Sequence, residues 1–260
     1  MSRRGLGVDA GLEPGLTHDL AFRCQGLGFE SLWSNDDPGA SGLETLAHFA
    51  AGAPALELGV GVLPLDRHPP VAIAAAIDRL GLDPARLWLG IGSGALPTQI
   101  EPLRRAVAEL RELVPGARIV IAAMRPRLCR LGGEIADGVL LNWMLPDGAA
   151  RAREWVREGA AGADRDAPVV ASYVRVAVGP GAQARLDAVE GRYRTLTPGQ
   201  ARHFAAMDVP LGSVGVATDT GAEAREGLAA YDAALDLTIA RVLAEPEASA
   251  LGAVADAAAP

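Results

Sequence analysis

The sequence predicts one α/β domain over residues 1–260, folded as a TIM-type (β/α)8 barrel, and three observations support this fold class. First, the chain has 260 residues, and a single (β/α)8 barrel typically takes about 250. Second, strand-like and helix-like segments alternate almost from end to end, which is typical of a parallel sheet with crossover helices. Third, no acidic or proline-rich break interrupts the eight units, which favours a closed barrel over an open sheet.

Eight near-continuous apolar segments are predicted as strands, because strands of a parallel sheet are buried on both faces. They begin near Gly5, Ser31, Leu56, Arg86, Arg118, Gly138, Val169 and Leu235. Between them apolar residues recur at helical spacing, as in residues 102–114. Extra helices are predicted between the seventh and eighth strands, over residues 181–196, 198–207 and 221–235, and an outer helix is predicted over residues 246–259.

The composition argues against several classes of protein. The net charge is -8, and all 24 basic residues are arginines scattered along the chain, so no basic stripe predicts nucleic-acid binding. No apolar run is long enough to span a membrane, and the first residues are too broken by glycine for a signal peptide. No histidine or cysteine spacing predicts a metal site. We therefore expect a cytoplasmic protein that acts on a small molecule.

The stretch "RLWLGIGSGALP" raises the question of a phosphate-binding glycine motif, because Gly90, Gly92 and Ala95 fit the spacing G-x-G-x-x-G/A. A dinucleotide-binding unit would need an acidic residue at the end of the next strand, and residues 122–125 read Ala-Ala-Met-Arg. We therefore interpret these glycines as bare backbone that leaves a slot for a planar cofactor, as Gly59 and Gly61 do one strand earlier. The alternative is that they make room for bulky side chains inside the barrel.

Four segments in chain order resemble the bacterial luciferase-like superfamily of flavin- and deazaflavin-dependent oxidoreductases. They are "LGFESLWSND", "LELGVGVLPLDRHPPVAIAAAIDRL", "RLWLGIGSG" and "IAAMRPRLCRLGGEIADGVLLNWMLP". The last is most similar to the branch that includes methylenetetrahydromethanopterin reductase. The resemblance implies a TIM-type barrel that holds the cofactor ring at the carboxyl ends of its strands, and it implies a homodimer.

The resemblance also implies roles for particular positions. An irregular, often cis, peptide that supports the ring is expected across Gly61, Val62 and Leu63. Contacts to the cofactor are expected at Gly92, Ser93 and Gly94, and contacts to its tail or phosphate at Ala123, Met124 and Arg125. The full set of predicted cofactor-binding residues adds Asp9, Asn142, Trp143, Tyr173 and Arg175, which lie in or at the ends of strands.

The chain departs from the family pattern at three points. Asn35 and Asp36 follow the second strand where the family commonly has Asp-His, and they are our candidate catalytic residues. Asp36 is either a proton donor to substrate or a carboxylate that caps a loop. Arg125 replaces a glycine, and it either grips a phosphate or blocks the site. The insertion after the fourth strand is shortened, since only a short segment separates Gly94 from the next helix.

Arg175 lies within a strand that should be buried, so it requires either an anionic partner inside the barrel or a position near the mouth. That partner is either the phosphate or carboxylate of a ligand or an aspartate inside the barrel.

Three functional hypotheses follow. The first is an oxidoreductase that transfers a hydride between a bound deazaflavin, coenzyme F-420, and a small organic substrate. The second is an FMN-dependent luciferase-like monooxygenase. The third is a non-catalytic, ligand-binding barrel that has lost its cofactor, which the missing histidine, Arg125 and the shortened insertion would explain.

Overall fold

The structure is a computed structural model that describes residues 3–96 and 100–260. The strands are β1 (Arg4–Val8), β2 (Ser31–Ser34), β3 (Glu57–Pro64), β4 (Leu87–Gly92), β5 (Arg118–Ala122), β6 (Gly138–Asn142), β7 (Val169–Val178), β8 (Val216–Thr218) and β9 (Leu237–Val242). The helices are α1 (Pro14–Leu27), α2 (Gly42–Gly52), α3 (Pro70–Leu80), α4 (Ile100–Leu113), α5 (Pro126–Ile135), α6 (Pro146–Gly162), α7 (Ala182–Leu196), α8 (Pro198–Met207), α9 (Gly221–Ala234) and α10 (Ala248–Ala258).

Eight of these strands form a closed parallel barrel. Strands β1 to β7 pair in sequence order, β7 pairs with β9, and β9 pairs with β1, which closes the ring. Helices surround this ring, so the predicted TIM-type fold is confirmed. The three helices predicted between the seventh and eighth barrel strands are α7, α8 and α9. After β4 only residues 93–99 precede α4, and residues 97–99 of the shortened insertion lie outside the described residues.

One strand was not predicted. Strand β8 pairs in parallel with the last residues of β7, Val176 to Val178, beyond the point where β6 ends. Its three residues carry too short a pattern to be recognised as a strand in the sequence. The pairing extends the sheet beyond the barrel and anchors the chain between α8 and α9 near the carboxyl end of β7.

Large side chains fill the inside of the barrel. The interior cluster consists of Trp33, Trp88, Val120, Leu140, Ala171, Tyr173, Leu237 and Ile239. A Cβ at Gly59 would lie 2.2 Å from the ring of Trp33, so this glycine makes room for an interior side chain. The second interpretation of the strand glycines is therefore correct at this position.

The amino-terminal end of the barrel is tied by a buried ion pair. Arg4 on β1 donates to the carboxylate of Asp232 on α9, at 2.6 Å, and to the carbonyl oxygens of Ala258 and Ala259 at the end of α10. No helix in the described ranges 3–96 and 100–260 is long and apolar enough to cross a membrane.

Candidate functional site

A cavity of about 400 Å³ opens at the carboxyl ends of the barrel strands. This is within the range of small-molecule binding sites, and in TIM barrels such sites lie at this end. The cavity is lined by Gly61, Val62, Gly92, Ser93, Gly94, Leu103, Ala122, Ala123, Met124, Leu128, Leu140, Asn142, Tyr173, Thr197, Gly199 and Gln200. Nine of our predicted cofactor-binding residues are among them: Gly61, Val62, Gly92, Ser93, Gly94, Ala123, Met124, Asn142 and Tyr173.

A larger surface groove of about 810 Å³ lies at the opposite end, near the starts of β7 and β9. Its charged residues are already paired, as in the salt bridge between Arg153 and Asp236. We therefore take the smaller cavity as the candidate site.

Strand β3 is irregular where it reaches the cavity. The peptide between Gly61 and Val62 is cis, and the register with β4 shifts between Gly61 and Leu63. This agrees with the irregular peptide expected across these three residues. Val62 lines the cavity, whereas Leu63 is buried in the core and does not.

The glycines around the cavity serve different purposes. A Cβ at Gly61 would lie 2.7 Å from the hydroxyl of Tyr173, which crosses the barrel to donate a hydrogen bond to the carbonyl oxygen of Ser34. A Cβ at Gly92 would lie 3.1 Å from Val62 and 3.9 Å from Ala122, its nearest neighbours. Gly61 thus makes room for Leu140, whose Cδ2 would lie 2.4 Å from the added Cβ, and for Tyr173, while Gly92 fits the interpretation of bare backbone facing a ligand.

Gly94 forms a turn after β4. Its φ angle is +59°, in the region that side chains rarely adopt, and a Cβ there would collide with the carboxylate of Asp66. The same carboxylate accepts a hydrogen bond from the backbone N–H of Ala95 at 2.9 Å. The β3–α3 and β4–α4 loops are therefore joined at the rim of the cavity.

Arg175 is buried behind the cavity-lining Asn142, does not itself line the cavity, and has no carboxylate partner among the described residues. Its guanidinium lies 3.9 Å from the centre of the Trp143 ring and 5.3 Å from that of Tyr193, and it donates a hydrogen bond to the amide oxygen of Asn142. Burial lowers the pKa of Arg175 to about 10. No salt bridge of Arg175 is found in residues 3–96 and 100–260, so the prediction of an internal aspartate partner is wrong for the described part of the chain.

A second buried arginine lies next to it and was missed in the sequence. Arg241 on β9 is the register partner of Arg175 on β7. It donates to the carboxylate of Asp9 and, at 2.7 Å, to the amide oxygen of Asn35. The signal was an arginine inside the apolar segment "LTIARV", the same pattern that singled out Arg175 in "VVASYVRVAV".

Asp36 does not reach the cavity. Its side chain is 3% exposed and accepts hydrogen bonds from Nε2 of His68 at 2.8 Å, from Arg67 at 3.1 Å and from the backbone N–H of Gly42 at 3.2 Å. It therefore acts as a loop-capping carboxylate that joins the loops after β2 and β3. The proposed catalytic alternative has no support from this geometry.

Asn35 also has a positioning role. Its amide oxygen accepts from the backbone N–H of Ala10 at 3.0 Å and from Arg241, and its amide nitrogen donates to Asp37 at 2.6 Å. It fixes the carboxyl ends of β1 and β2 relative to β9. Asp9 meets the same arginine, but its side chain is 77% exposed and it is not part of the cavity wall.

Trp143 is packed under the helices that cover the barrel mouth. Its φ angle is +54°, and its ring lies in a cluster with Leu186, Phe204 and Val214. Its carbonyl oxygen accepts a hydrogen bond from Nε2 of His203 on α8, at 2.7 Å. Burial lowers the pKa of His203. The ring of Trp143 therefore supports Arg175 from behind and does not line the cavity.

Arg125 lies at the start of α5, where it is exposed and does not line the cavity. Sequence reasoning also missed the contribution of α8, whose first turn brings Gly199 and Gln200 to the cavity. Thr197 caps this helix by accepting from the backbone N–H of Gln200 at 3.2 Å. The sequence "TPGQ" signals a helix start, but nothing in it indicates that the helix folds over the barrel mouth.

No group of three or more metal-ligating side chains occurs in the part of the chain that the structure describes. The polar side chains that line the cavity are the amides of Asn142 and Gln200 and the hydroxyls of Ser93, Tyr173 and Thr197.

Comparisons with known proteins agree with this architecture. The family model described as luciferase-like monooxygenase matches residues 2–115 and 101–254. An F-420-dependent secondary alcohol dehydrogenase, solved with an F-420–acetone adduct, superposes with a TM-score of 0.78 at 14% identity, over 99% of this chain and 98% of that one. The F-420-dependent tetrahydromethanopterin reductase of Methanopyrus kandleri gives 0.72 at 18% identity, over 97% and 98%.

A flavin enzyme is similar to nearly the same extent. The oxygenating constituent of 3,6-diketocamphane monooxygenase from Pseudomonas putida, in complex with FMN, superposes with a TM-score of 0.69 at 13% identity, over 100% of this chain and 98% of that one. Because all three structures share so little sequence with this chain, their likeness shows the fold alone.

Proposed function

Because the chain belongs to the luciferase-like monooxygenase family, whose members are flavin- or F-420-dependent enzymes, we propose that it transfers a hydride between bound coenzyme F-420 and a small organic substrate. The observation that carries this proposal is the cavity at the barrel mouth, where the cis peptide at Gly61–Val62 and the Cβ-free backbone of Gly92 lie on adjacent strands. A planar ring approaches closely where backbone carries no side chain.

The residues present fit a tricyclic ring. A Cβ at Gly92 would take up space at the cavity wall, which supports a contact between its backbone and a ring. Val62 and Ser93 flank this position, and Leu140 and Tyr173 form the floor. When bound, a deazaflavin supplies the atom that accepts or donates the hydride, and the protein orients substrate against it.

Tyr173 acts as a neutral wall. Burial raises the pKa of its hydroxyl, and that hydroxyl donates its hydrogen bond to the carbonyl oxygen of Ser34. The group is therefore protonated at neutral pH and committed to the backbone. We assign it to shaping the cavity and keeping water from its floor.

We place the cofactor's phosphate-bearing tail near the start of α5. Backbone N–H groups at a helix N-terminus favour anions, and Arg125 adds a cation at this point. Met124 and Leu128 on either side line the cavity, so a ring in the cavity and a tail at Arg125 are within reach of each other.

An FMN-dependent monooxygenase is the second candidate, and the likeness to the FMN-bound monooxygenase favours it. The segment "IAAMRPRLCRLGGEIADGVLLNWMLP", which resembles the reductase branch, supports the deazaflavin instead. The cofactor-free barrel remains the third.

Equilibrium binding to purified protein, followed by fluorescence quenching, separates these candidates. We expect saturable binding of F-420 and weaker binding of FMN. Tight binding of FMN without binding of F-420 would reverse the order, and binding of neither at tens of micromolar would leave the non-catalytic barrel.

A matched pair of variants tests the tail position. Arg125→Gln is expected to weaken binding of F-420 but not of its deazaflavin chromophore without the tail, whereas Arg127→Gln, an exposed arginine on the same helix, changes neither. If Arg125→Gln and the wild-type protein bind F-420 with equal affinity, the cofactor tail does not lie at the start of α5.

A further inference from the structure

Two buried arginines lie on neighbouring strands at the carboxyl end of the barrel. Arg175 and Arg241 are register partners on adjacent strands, so their side chains leave the same face of the sheet. They are 4% and 6% exposed. That face is the barrel interior, because a Cβ at Gly7 would lie 3.3 Å from Cδ of Arg241, and the guanidinium of Arg241 lies 5.5 Å from the Tyr173 ring at the cavity floor.

The charges of this pair are not balanced within the described part of the chain. Arg241 meets the carboxylate of Asp9, whose side chain is 77% exposed and therefore largely hydrated. Arg175 meets the amide of Asn142 and the rings of Trp143 and Tyr193. Nη1 of Arg241 is buried without a hydrogen-bond partner among the described residues. Buried cations are normally paired, so this arrangement lacks an anion.

The surroundings hold the two groups in place for such an anion. Asn142 lines the cavity and fixes Arg175 by its amide oxygen, while Trp143 supports the other side of the guanidinium plane. Asn35 fixes Arg241 at 2.7 Å. A planar guanidinium held in this way matches the two oxygens of a carboxylate.

We propose that Arg175 and Arg241 bind the carboxylate of the second substrate, which makes that substrate a small organic acid. This deepens the function proposed above and rests on it. The two arginines lie on β7 and β9, whereas the helix start assigned to the cofactor tail follows β5. The carboxylate therefore belongs to the substrate, and its carbon chain extends past Asn142 toward the ring.

The first test uses cofactor-free protein and small ligands. Acetate, propanoate and succinate are titrated by calorimetry and by their effect on Tm, with acetamide as a neutral ligand of nearly the same shape as acetate. A ligand that binds only the folded state raises Tm in a saturable way. We expect this for the acids and not for acetamide. Equal effects of acetate and acetamide would overturn the proposal.

Variants then assign the binding to the two arginines. Arg175→Met and Arg241→Met are each expected to weaken acid binding by about tenfold or more, the loss of a charge-assisted contact. Because it removes a buried, unpaired cation, Arg175→Met should also keep or raise the Tm of the free protein. Arg175→Lys retains a cation and should bind acids with intermediate affinity. Arg127→Gln is the control and should bind acids as the wild-type protein does.

The outcomes separate this inference from the proposed function. Unchanged acid binding in both Arg175→Met and Arg241→Met would overturn the inference, whatever the cofactor result. If Arg175→Met weakens F-420 binding and leaves acid binding intact, the anion belongs to the cofactor and the inference is wrong. If acids bind through the arginines but no cofactor binds, the inferred carboxylate site is supported and the proposed hydride transfer is wrong.

Discussion

Arg4 and Arg175, buried at the two ends of the barrel, differ in whether a carboxylate of the described residues pairs with them. At the amino-terminal end, Arg4 is 5% exposed and its guanidinium is fully engaged by the carboxylate of Asp232 and by two carbonyl oxygens at the end of α10. At the carboxyl end, Arg175 is 4% exposed and, within residues 3–96 and 100–260, meets an amide oxygen and aromatic rings but no carboxylate. Similar burial thus accompanies a balanced charge at one end and an unbalanced charge at the other.

The difference separates a structural site from the proposed binding site. A paired and hydrogen-bonded ion inside a protein is tolerated, and it joins the elements that supply its partners. An unpaired one lowers the free energy of unfolding, so it persists where a ligand completes it. The same contrast applies to the glycines, because Gly59 in the interior is filled by Trp33, whereas Gly92 at the mouth faces the cavity.

Removing the carboxylate partner of Arg4 should have the largest effect on the free energy of unfolding. Asp232→Ala would leave Arg4 buried without its carboxylate, and removal of one partner of a buried pair costs about 3–5 kcal/mol. Urea unfolding would show this as a lower midpoint. The control is Asp256→Ala, which removes the partner of Arg23 in a pair whose side chains are about half exposed and should cost about 0–1 kcal/mol. Equal losses in both variants would contradict the contrast.

The second largest loss of stability is expected at Gly59, the glycine that packs against Trp33 inside the barrel. In Gly59→Ala the new Cβ would lie 2.2 Å from the Trp33 ring, and Trp33 is held by a hydrogen bond from its Nε1 to Ser31, at 2.9 Å. Overpacking of this kind costs about 1–3 kcal/mol. Gly26→Ala, where the Cβ meets nothing within 4 Å, is the control in the same urea experiment. A Gly59→Ala protein as stable as wild type would show that the ring moves freely.

The fold was predictable from the sequence because alternating apolar strands and amphipathic helices extend over the whole chain. The three-residue β8 was not, since its pairing with β7 depends on where α7 and α8 place the chain. The barrel strands begin within two residues of their predicted starts.

The site was predictable only in part. Gly92 and Asn142 at their strand ends do line the cavity, as does Tyr173 within β7, because parallel strands bring their carboxyl ends to one face. Asp36 lies two residues beyond the end of β2 and Trp143 one residue beyond the end of β6, where loop conformation decides the direction of the side chain. Trp143 adopts a positive φ and turns beneath α8, and Asp36 turns toward His68. No local pattern indicates either rotation.

Substitution of Gly92, at the barrel mouth, should weaken cofactor binding more than it lowers the stability of the fold. In Gly92→Ala the new methyl lies 3.1 Å from a methyl group of Val62, a far milder overlap than in Gly59→Ala, so the free energy of unfolding should change by less than in that variant. A ring in contact with this backbone would be displaced, and we expect roughly tenfold weaker cofactor binding, about 1.4 kcal/mol. Fluorescence titration of F-420 measures this, with Gly26→Ala as the control. Unchanged affinity for F-420 would mean that the cofactor ring does not contact the backbone of β4.

The smallest expected effect concerns the pH dependence of the mouth. Burial lowers the pKa of His203 below its ordinary value of 6.5, and its Nε2 donates to the carbonyl oxygen of Trp143. Below pH 6.5 the unfolded chain therefore binds a proton that the folded chain does not, so stability falls as the pH falls through this window. The loss levels off once the pH is below the folded pKa.

His203→Gln should remove part of this slope, because glutamine does not titrate; His18→Gln, which replaces a half-exposed histidine on α1, is the control. Urea unfolding between pH 5 and pH 7 measures the slope as the change in free energy of unfolding per pH unit. Hydrogen exchange in α8 locates it, because this helix should open first on acidification while β1 and α10, tied by Arg4, stay protected. Equal loss of protection at both ends would mean that the acid sensitivity belongs to the whole barrel and that the mouth does not open separately from the amino-terminal end.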